Sequence, residues 1–360
     1  MYQPWGYFGP LQRRRMIEAW GGLVGRARAL KEFDDAFKKY GSITALGRQH
    51  HIKVSTLREL REQYAELAKE TYRKARLVAG REFGEWHLIK KIGSGGNAEV
   101  WQARSARKGD AAIKLPKHAT GNALKRFRAE IQVLEKIKGQ PGVLPILEHV
   151  LPKNPSGDWD AWLVMPLAIS VESARSEMTT LDVVKGIREV AETMARLHSQ
   201  QIYHRDLKPG NLLLLNNRWV VGDFGIASFP GKEALTVPGQ KLGPIYFVAP
   251  EMLFEPEKRR GDTADVYSLA KTLWVLLSGQ KYPPPGEHRS DNEFVQIEKW
   301  INDPEVSSLN EAFERCTFQS PEKRITMADL VALLDSWLQN QGHLASQTKT
   351  ATGRVLDKLG

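Results

Sequence analysis

The stretch HRDLKPGN, residues 204 to 211, is the most specific motif of the chain. It places a carboxylate at Asp206, a cation at Lys208 and an amide at Asn211 within six residues. An apolar pattern with helical spacing precedes it, and the string LLLLNNRWVV that follows has the composition of a β-hairpin. The sequence therefore predicts a short polar loop between a helix and a hairpin.

A second carboxylate returns to this loop at the far end of the hairpin, in the string DFG at residues 223 to 225. Asp223 is expected close to Asn211, and the two side chains offer oxygen ligands that suit magnesium. With Asp206 to orient a hydroxyl and Lys208 to neutralise phosphate oxygens, these groups match the needs of phosphoryl transfer. A structural interpretation stays open, in which the loop is a turn that satisfies its own backbone and DFG is a buried corner.

A glycine-rich string, KKIGSGGNAEVW at residues 90 to 101, lies upstream among short patterns that predict strands. Its backbone could approach a nucleoside triphosphate or a dinucleotide, or form an ordinary tight turn. The helix and the distal acidic residue that a dinucleotide fold needs do not follow it. The string alone does not decide between the remaining two.

Together, the motifs resemble the protein kinase family from residue 84 to residue 339, about 70% of the chain. This resemblance implies an α+β, bilobal protein kinase fold at 81–339, with a small β-rich N-lobe at 84–167 and a larger helical C-lobe at 168–339. The lysine of AAIK, Lys114, would then grip the α- and β-phosphates of ATP, with Glu130 as its helix partner. Glu130 lies on the apolar stripe of the next helix, whereas Glu135 points about 140° away from it.

The resemblance further implies ATP and Mg²⁺ as cofactors and a protein hydroxyl as the acceptor. Asp206 would orient that hydroxyl and accept its proton, while Lys208 would neutralise the γ-phosphate. The magnesium ligands would be Asn211 and Asp223. The expected ATP-binding residues are Ile92, Gly93, Ser94, Gly95, Gly96, Val100, Ala112, Lys114, Glu130, Met165 at the gatekeeper position, Leu167 and Leu213. The expected structural residues are Asp265, which braces the catalytic loop, and Glu251, which pairs with Arg324.

Two positions depart from the family pattern. Ala98 replaces the third glycine of the loop, a small change that restricts the backbone. Pro244 in GPIYFVAPE stands where kinases of serine and threonine usually carry threonine, and it resembles the tyrosine-kinase form. Lys208, in contrast, belongs to the serine/threonine form of the catalytic loop. Serine/threonine specificity is favoured because Lys208 lies closer to the chemistry, and tyrosine or dual specificity stays open.

Arg205, next to the catalytic acid, suggests that an anionic group activates the enzyme. Three hydroxyls of the following segment are candidate phosphorylation sites, although each could also be an ordinary exposed loop residue: Ser228, Thr236 and Tyr246. His204 is expected to be a core histidine bonded to the backbone.

The amino-terminal segment, residues 1 to 80, carries +8 of the net charge of +10. It is expected to be a basic, small all-α domain, in which Thr56 and Glu59 form a capping box within a pattern that resembles a helix-turn-helix module. As such a module it would bind duplex DNA. A helical hairpin that docks on the kinase domain or pairs with another copy is favoured, because the long helix also suits a coiled-coil seam.

No apolar run approaches the ~20 residues of a membrane span, and the single cysteine, Cys316, excludes an intramolecular disulfide. A cytoplasmic protein without a membrane partner is therefore expected. Late helices are predicted at 262–279, 291–302 and 323–339, followed by a loose polar tail at 340–360.

Two other functions stay open. The first is a DNA-binding or scaffolding protein with an inactive kinase fold, although every catalytic residue is present. The second is a kinase of small molecules, which would share Asp206 and Asp223. The APE string and Arg324 favour a protein substrate over this second possibility.

Overall fold

A computed structural model describes residues 77, 79–95, 98–117, 121–151, 161–228, 245–254 and 260–356. The described chain forms a small lobe, with a six-stranded sheet and one long helix, and a larger lobe that is mainly helical. The α+β class and the two-lobed organisation predicted from the sequence are confirmed. The predicted helix-turn-helix lies outside the described residues. No helix among the described residues has the length and apolar character needed to cross a bilayer.

The small lobe is built on an antiparallel sheet with the strand order β1-β2-β3-β4-β6-β5. Across this sheet Val100 pairs with Lys114, and Ala112 pairs with Met165. Because side chains alternate along a strand, Ala112 and Lys114 share one face of β4. The strands of this lobe are β1 (Glu82–Phe83), β2 (Trp86–Ser94), β3 (Ala98–Ser105), β4 (Gly109–Pro116), β5 (Glu148–Val150) and β6 (Trp162–Pro166).

Helix α1 (Gly121–Lys136) packs its apolar stripe into the same core as that face of β4. Phe127, Ile131 and Leu134 are buried at the predicted spacing of three and four residues. Glu130 lies on the same side of the helix and is also buried. The helix thus directs an acidic side chain towards the sheet.

The large lobe begins with a three-stranded sheet in the order β7-β8-β9, and the predicted hairpin is its β8–β9 pair. Its strands are β7 (Ile169–Ser170), β8 (Leu212–Leu215) and β9 (Arg218–Val221). Its helices are α2 (Val171–Ala174), α3 (Thr180–Ser199), α4 (Pro250–Phe254), α5 (Gly261–Ser278), α6 (Asn310–Thr317) and α7 (Met327–Leu356).

Helix α5 is the centre of the large lobe, because nearly all of its side chains are buried. It ends at Gly279, whose φ of 67° lies in the left-handed region that glycine adopts without strain. Helix α3 begins with a capping box, in which Thr179 and Asp182 each accept a hydrogen bond from the backbone N–H of the other. The sequence thus specifies where both helices begin or end.

Two predicted elements differ from the structure. The string VLPILEHV forms a strand only at Glu148–Val150, because Leu144 instead donates to the carbonyl of Val221 in the large lobe, at 2.9 Å. The predicted helix at 291–302 is wrong, since this stretch forms two 3-10 turns, Glu293–Val295 and Ile297–Lys299. The side chain of Asn310 accepts from the Ile297 N–H at 3.1 Å and so takes a donor that a helix would need.

The carboxyl-terminal helix also exceeds its predicted range. It was expected to end near 339, before a loose polar tail, whereas α7 continues to Leu356. Apolar side chains at its start, including Leu330, Leu334 and Trp337, are buried in the core of the large lobe.

At the opposite end of the domain, the buried Leu77 packs in the small lobe, three residues before the boundary predicted at Gly80.

An ion pair without solvent contact stabilises the large lobe. Arg324 donates from its two terminal nitrogens to the two carboxylate oxygens of Glu251, at 2.7 and 2.9 Å, and both side chains are fully buried. The guanidinium also donates to backbone carbonyls and lies over the ring of Tyr267. The pairing that the family resemblance implies is thus present in the structure.

We expect Arg324→Ala to lower the free energy of unfolding by about 3–5 kcal/mol, because it leaves the Glu251 carboxylate buried without its counter-ion. Urea denaturation followed by circular dichroism measures this change. The control is Arg289→Ala, which removes an ion pair to the exposed Asp291 and should leave the unfolding midpoint unchanged. Equal effects of the two variants would contradict the importance assigned to the buried pair.

Candidate active site

Helix α5 supports the loop at residues 204 to 211 through hydrogen bonds to its backbone. Asp265, fully buried on that helix, accepts from the backbone N–H of His204 at 2.8 Å and from that of Arg205 at 2.7 Å. Arg205 has a φ of 67°, an unfavourable conformation that these two hydrogen bonds help to maintain. Asp265 therefore has the bracing position that the family resemblance implies, with a buried carboxylate bound to two backbone N–H groups of the loop.

Two side-chain donors of the loop converge on Asp206. Lys208 Nζ lies 2.6 Å from Asp206 Oδ2, and Asn211 Nδ2 donates to the Asp206 carbonyl at 2.7 Å and to Oδ2 at 3.0 Å. Asp206 and Lys208 remain partly accessible, with 16% and 22% of their side chains exposed. A hydroxyl-bearing group can therefore approach a carboxylate that is already oriented by two donors.

His204 supports this loop and does not take part in the charged cluster. Its ring is fully buried, its Nε2 lies 2.9 Å from the carbonyl of Gly222, and it packs edge-on against Phe224. The prediction of a core histidine bonded to the backbone is confirmed. Its contacts connect the catalytic loop to the start of the DFG string.

The DFG aspartate returns to the loop as predicted. The N–H of Gly222 donates to the carbonyl of Asn211 at 2.9 Å, which places the next residue, Asp223, beside the loop. Asp223 has a φ of 59°, and its side chain is about half exposed. The unusual backbone conformation directs the carboxylate into the space between the two lobes.

A three-residue ionic cluster joins the two lobes at this point. Lys114 Nζ on β4 lies 2.5 Å from Glu130 Oε1 on α1 and 2.9 Å from Asp223 Oδ1 of the large lobe. Lys114 and Glu130 are almost fully buried. The structure therefore selects Glu130 as the partner of Lys114, whereas the alternative Glu135 lies near His149 and Lys138.

The charges of this cluster affect one another. Burial alone would lower the pKa of Lys114, but the charges of Asp223 and Glu130 outweigh it and raise that pKa. Burial raises the pKa of Glu130 to about 7, against the opposing charge of Lys114. The positive charge of Lys114 lowers the pKa of Asp223 to about 2. Lys114 and Asp223 are therefore charged at neutral pH, while Glu130 titrates close to neutrality.

Asn211 and Asp223 are the two side chains that would offer oxygen ligands to a magnesium ion. Among the described residues, no group of three or more His, Cys, Asp and Glu side chains could hold a metal ion by itself. Mg²⁺, however, usually takes one or two protein oxygens and completes its shell with water and substrate phosphates. Asn211 and Asp223 fit a cation that binds together with a nucleotide.

The expected adenine-binding residues lie together between the lobes. Ala112 and Met165 are buried neighbours on adjacent strands, and the half-buried Val100 and Leu213 pack against the same core. Leu213 belongs to the large lobe, so both lobes contribute side chains to this apolar cluster. Ile92 and Leu167, which were also expected at this site, are exposed.

The described part of the glycine loop forms a tight turn beside this cluster. The N–H of Gly95 donates to the carbonyl of Ala98 at 3.0 Å, and Gly93 and Ser94 pair with Val100 and Glu99 of β3. Gly96 lies outside the described residues, so its predicted contact with phosphate stays a prediction.

Sequence reasoning missed two side chains near the site. Lys117 Nζ donates to the Gly95 carbonyl at 2.5 Å and so links the end of β4 to the glycine loop. His198 Nε2 lies 3.0 Å from Asp265 and provides that carboxylate with a third partner. In the sequence, His198 is one of many polar residues of helix α3, and no motif distinguishes it. Lys117 could have been noticed only because it lies three residues after Lys114.

The three candidate phosphorylation sites differ in their surroundings. Ser228 forms a backbone bridge with Tyr203, and its buried Oγ has no hydrogen-bond partner among the described residues. Tyr246 is 45% exposed. Thr236, like Pro244, lies outside the described residues. Phosphorylation of any of the three stays a prediction.

Comparison with known proteins agrees with this geometry. A family model described as protein kinase domain matches residues 86–338. The chain is 27% identical to the serine/threonine-protein kinase PknF of Mycobacterium tuberculosis over 276 residues, which are 69% of this chain and 55% of PknF. It is 35% identical to the serine/threonine-protein kinase ppk34 of Schizosaccharomyces pombe over 171 residues, which are 46% of this chain and 47% of ppk34.

The structural comparison concerns the fold alone. The crystal structure of the PknI kinase domain of Mycobacterium tuberculosis superposes with a TM-score of 0.52 at 21% identity, over 73% of this chain and 99% of that domain. The chain spans about half the length of the curated relatives it matches. Since the family model covers well over half of the sequence, the chain belongs to the protein kinase family.

Proposed function

We propose that this protein transfers the γ-phosphoryl group of ATP to serine or threonine hydroxyls of protein substrates. The observation that carries the proposal is the pair of charged clusters between the lobes: Lys114 with Glu130 and Asp223, and Asp206 with Lys208 and Asn211. One cluster has a cation for nucleotide phosphates, and the other has a carboxylate for an incoming hydroxyl.

The roles of the residues follow from their positions. The Lys114 ammonium, held by two carboxylates, can move one of its contacts to the α- and β-phosphates without leaving Glu130. Asp206, oriented by Asn211 and Lys208, accepts a hydrogen bond from the acceptor hydroxyl and takes its proton as the hydroxyl oxygen bonds to the γ-phosphorus. The bond from that phosphorus to the β–γ bridging oxygen breaks at the same time, and ADP leaves. Lys208 balances negative charge on the transferred phosphoryl group. Most of the catalytic effect would come from positioning and charge stabilisation.

Magnesium, when bound by Asn211 and Asp223 together with the nucleotide, would neutralise charge on the β- and γ-phosphates. The chain itself contributes one carboxylate and one amide oxygen, with the Asp223 carboxylate ionised far below neutral pH. Protonation of Asp223 therefore does not compete with metal binding in the neutral range.

Serine/threonine specificity is supported by Lys208 and by the names of PknF and ppk34. Lys208 contacts Asp206 directly, whereas Pro244 belongs to the segment outside the described residues. Tyrosine or dual specificity is the alternative. Phosphorylation at Ser228, Thr236 or Tyr246 would regulate the enzyme. At Ser228, the hydroxyl oxygen is buried, so the segment would have to move before a phosphate could be added there.

The basic segment 1–80 has a proposal of its own. A helical hairpin that docks on the kinase domain or associates with another copy is favoured, and the alternative is a helix-turn-helix whose net charge of +8 binds duplex DNA. Steep salt dependence of duplex DNA binding by the full chain would support the alternative. A cytoplasmic location is proposed from the composition of the sequence.

Asp206→Asn and Asp223→Ala should each reduce phosphotransfer to protein by about a thousandfold or more, because the first removes the base and the second a metal ligand. The assay combines labelled ATP, a generic protein acceptor such as casein and phosphoamino-acid analysis. The matched control, Asp291→Ala, removes an exposed aspartate and should retain full activity. An active Asp223→Ala variant would contradict the assignment of phosphotransfer to this site. Phosphotyrosine as the only product would contradict the serine/threonine assignment.

A pH dependence follows from the raised pKa of Glu130. Below about pH 7 this carboxylate becomes protonated and loses its ion pair with Lys114, so kcat/KM for ATP should fall as the pH decreases. In Glu130→Gln the side chain is neutral at every pH. The ratio of wild-type to variant activity should therefore be largest above pH 7 and shrink towards pH 6. A constant ratio across this range would show that Glu130 is not the titrating group.

A further inference from the structure

The six-stranded sheet of the small lobe has two faces, and both carry buried apolar side chains. Side chains alternate along a strand, so Ala112 and Lys114 of β4 lie on the side of α1, whereas Ile113 and Leu115 lie on the opposite side. The side of Ile113 is called the outer face below. Its buried members are Phe83 of β1, Trp86 and Leu88 of β2, Trp101 and Ala103 of β3, Ala111, Ile113 and Leu115 of β4, and Val164 of β6.

The outer face is buried as deeply as the core of a domain. Ile113 and Leu115 have no exposed surface, and the side chain of Trp86 is 1% exposed. At the centre of the face Ala103 pairs with Ala111, and neither residue is accessible to solvent. A sheet buries an apolar face by packing it against a further layer of structure. A covering layer is therefore expected on the outer face.

The described chain reaches this face from its amino-terminal side. Leu77, 6% exposed, is the one member of the cluster, among the described residues, that does not belong to a strand. Three residues later the N–H of Gly80 donates to the carbonyl of Leu88 at 2.7 Å, and the N–H of Leu88 donates to the carbonyl of Arg81 at 2.9 Å. These hydrogen bonds fix the chain beside β2. The segment that precedes Leu77 therefore starts at the outer face.

The sequence of that segment carries an apolar stripe. Leu57, Leu60, Tyr64 and Leu67 recur at a spacing of three and four residues, which predicts an amphipathic helix. A helix rises about 1.5 Å per residue, so Leu67 would lie about 15 Å from Leu77. The sheet is about 15 Å wide from β2 to β6, because neighbouring strands are about 4.8 Å apart. The stripe is thus within reach of the outer face.

We propose that residues 57–76 form an amphipathic helix that docks its apolar stripe on the outer face of the same chain and thereby supports the strand that carries Lys114. This inference deepens the docking proposed for residues 1–80 by naming its surface, and its link to ATP rests on the proposed function. The same chain is the favoured source of the helix. A segment tethered this closely to its site has an effective concentration of about a millimolar, which a second copy would have to exceed.

Strands β4 and β6 connect the outer face to the ATP site. Ile113, on the outer face, stands between Ala112 and Lys114, which are expected to contact ATP. Val164 of the outer face likewise precedes the gatekeeper Met165. Loss of the covering layer would expose the outer core, so these strands would open more often. Weaker ATP binding is the expected consequence, although the docked helix itself does not need to contact the nucleotide.

Hydroxyl-radical labelling of the full chain, read residue by residue by mass spectrometry, tests the docking without relying on catalysis. In the wild type, Trp86 and Trp101 should be labelled about tenfold more slowly than Trp300, which is 40% exposed. Leu67→Glu places a charge in the stripe and should accelerate the labelling of Trp86 and Trp101 by about threefold or more. The buried Trp274 should stay protected, which reports that the large lobe is intact.

The matched control is Lys69→Glu, which introduces the same side chain about 200° away from Leu67 around the predicted helix. This variant should show the wild-type labelling. The Kd for ATP, measured by equilibrium dialysis without an acceptor protein, should rise about threefold in Leu67→Glu and stay unchanged in Lys69→Glu.

Unchanged labelling of Trp86 and Trp101 in Leu67→Glu would overturn the docking, and so would equal effects of the two variants. Labelling of Trp86 in the wild type that slows as the protein concentration rises would show that a second copy covers the face, and it would overturn the placement in the same chain. Accelerated labelling with an unchanged Kd for ATP would overturn the support of the ATP site. Failure of the wild type to bind ATP, with the labelling as expected, would instead contradict the proposed kinase function and leave the docking in place.

Discussion

The ionic contact of Lys114 with Glu130 and Asp223 is the interaction on which the site depends, because it is made by residues from a strand, a helix and the opposite lobe. A buried ammonium between two carboxylates is stable only while all three elements keep their positions. The arrangement of the lobes and the state of the site are therefore coupled. In the structure the cluster is assembled, and the Asp223 carboxylate is still about half exposed to the space where a nucleotide would bind.

Helix α5 provides the second constraint, since it organises several segments that are distant in the sequence. Asp265 holds the catalytic loop, Ser268 holds the segment before α4, and Lys271 holds the proline loop. Each contact joins a side chain of the helix to the backbone of a loop, so the loops are positioned by hydrogen bonds that tolerate variation in loop sequence. Helix α5 thus positions the catalytic loop and two neighbouring segments at once.

Much of this site was predictable because its chemistry is local in sequence. Asp206, Lys208 and Asn211 lie within one loop, and helical geometry alone separated Glu130 from Glu135. Contacts between distant residues were less accessible. The stretch 291–302 has helical spacing, yet a side chain from Asn310 captures one of its backbone donors. The contact of Tyr246 with Tyr282 and that of Lys117 with the glycine loop depend on tertiary packing that no local pattern encodes.

The proposed activity of this site is the transfer of the γ-phosphoryl group of ATP to a protein hydroxyl. The most direct measurement incubates the full chain and a protein acceptor with ATP labelled either at the γ-phosphate or at the α-phosphate. Label from the γ-position should become covalently attached to protein, whereas label from the α-position should not. Label from the α-position on protein, or no label on protein from either nucleotide, would overturn the proposed activity.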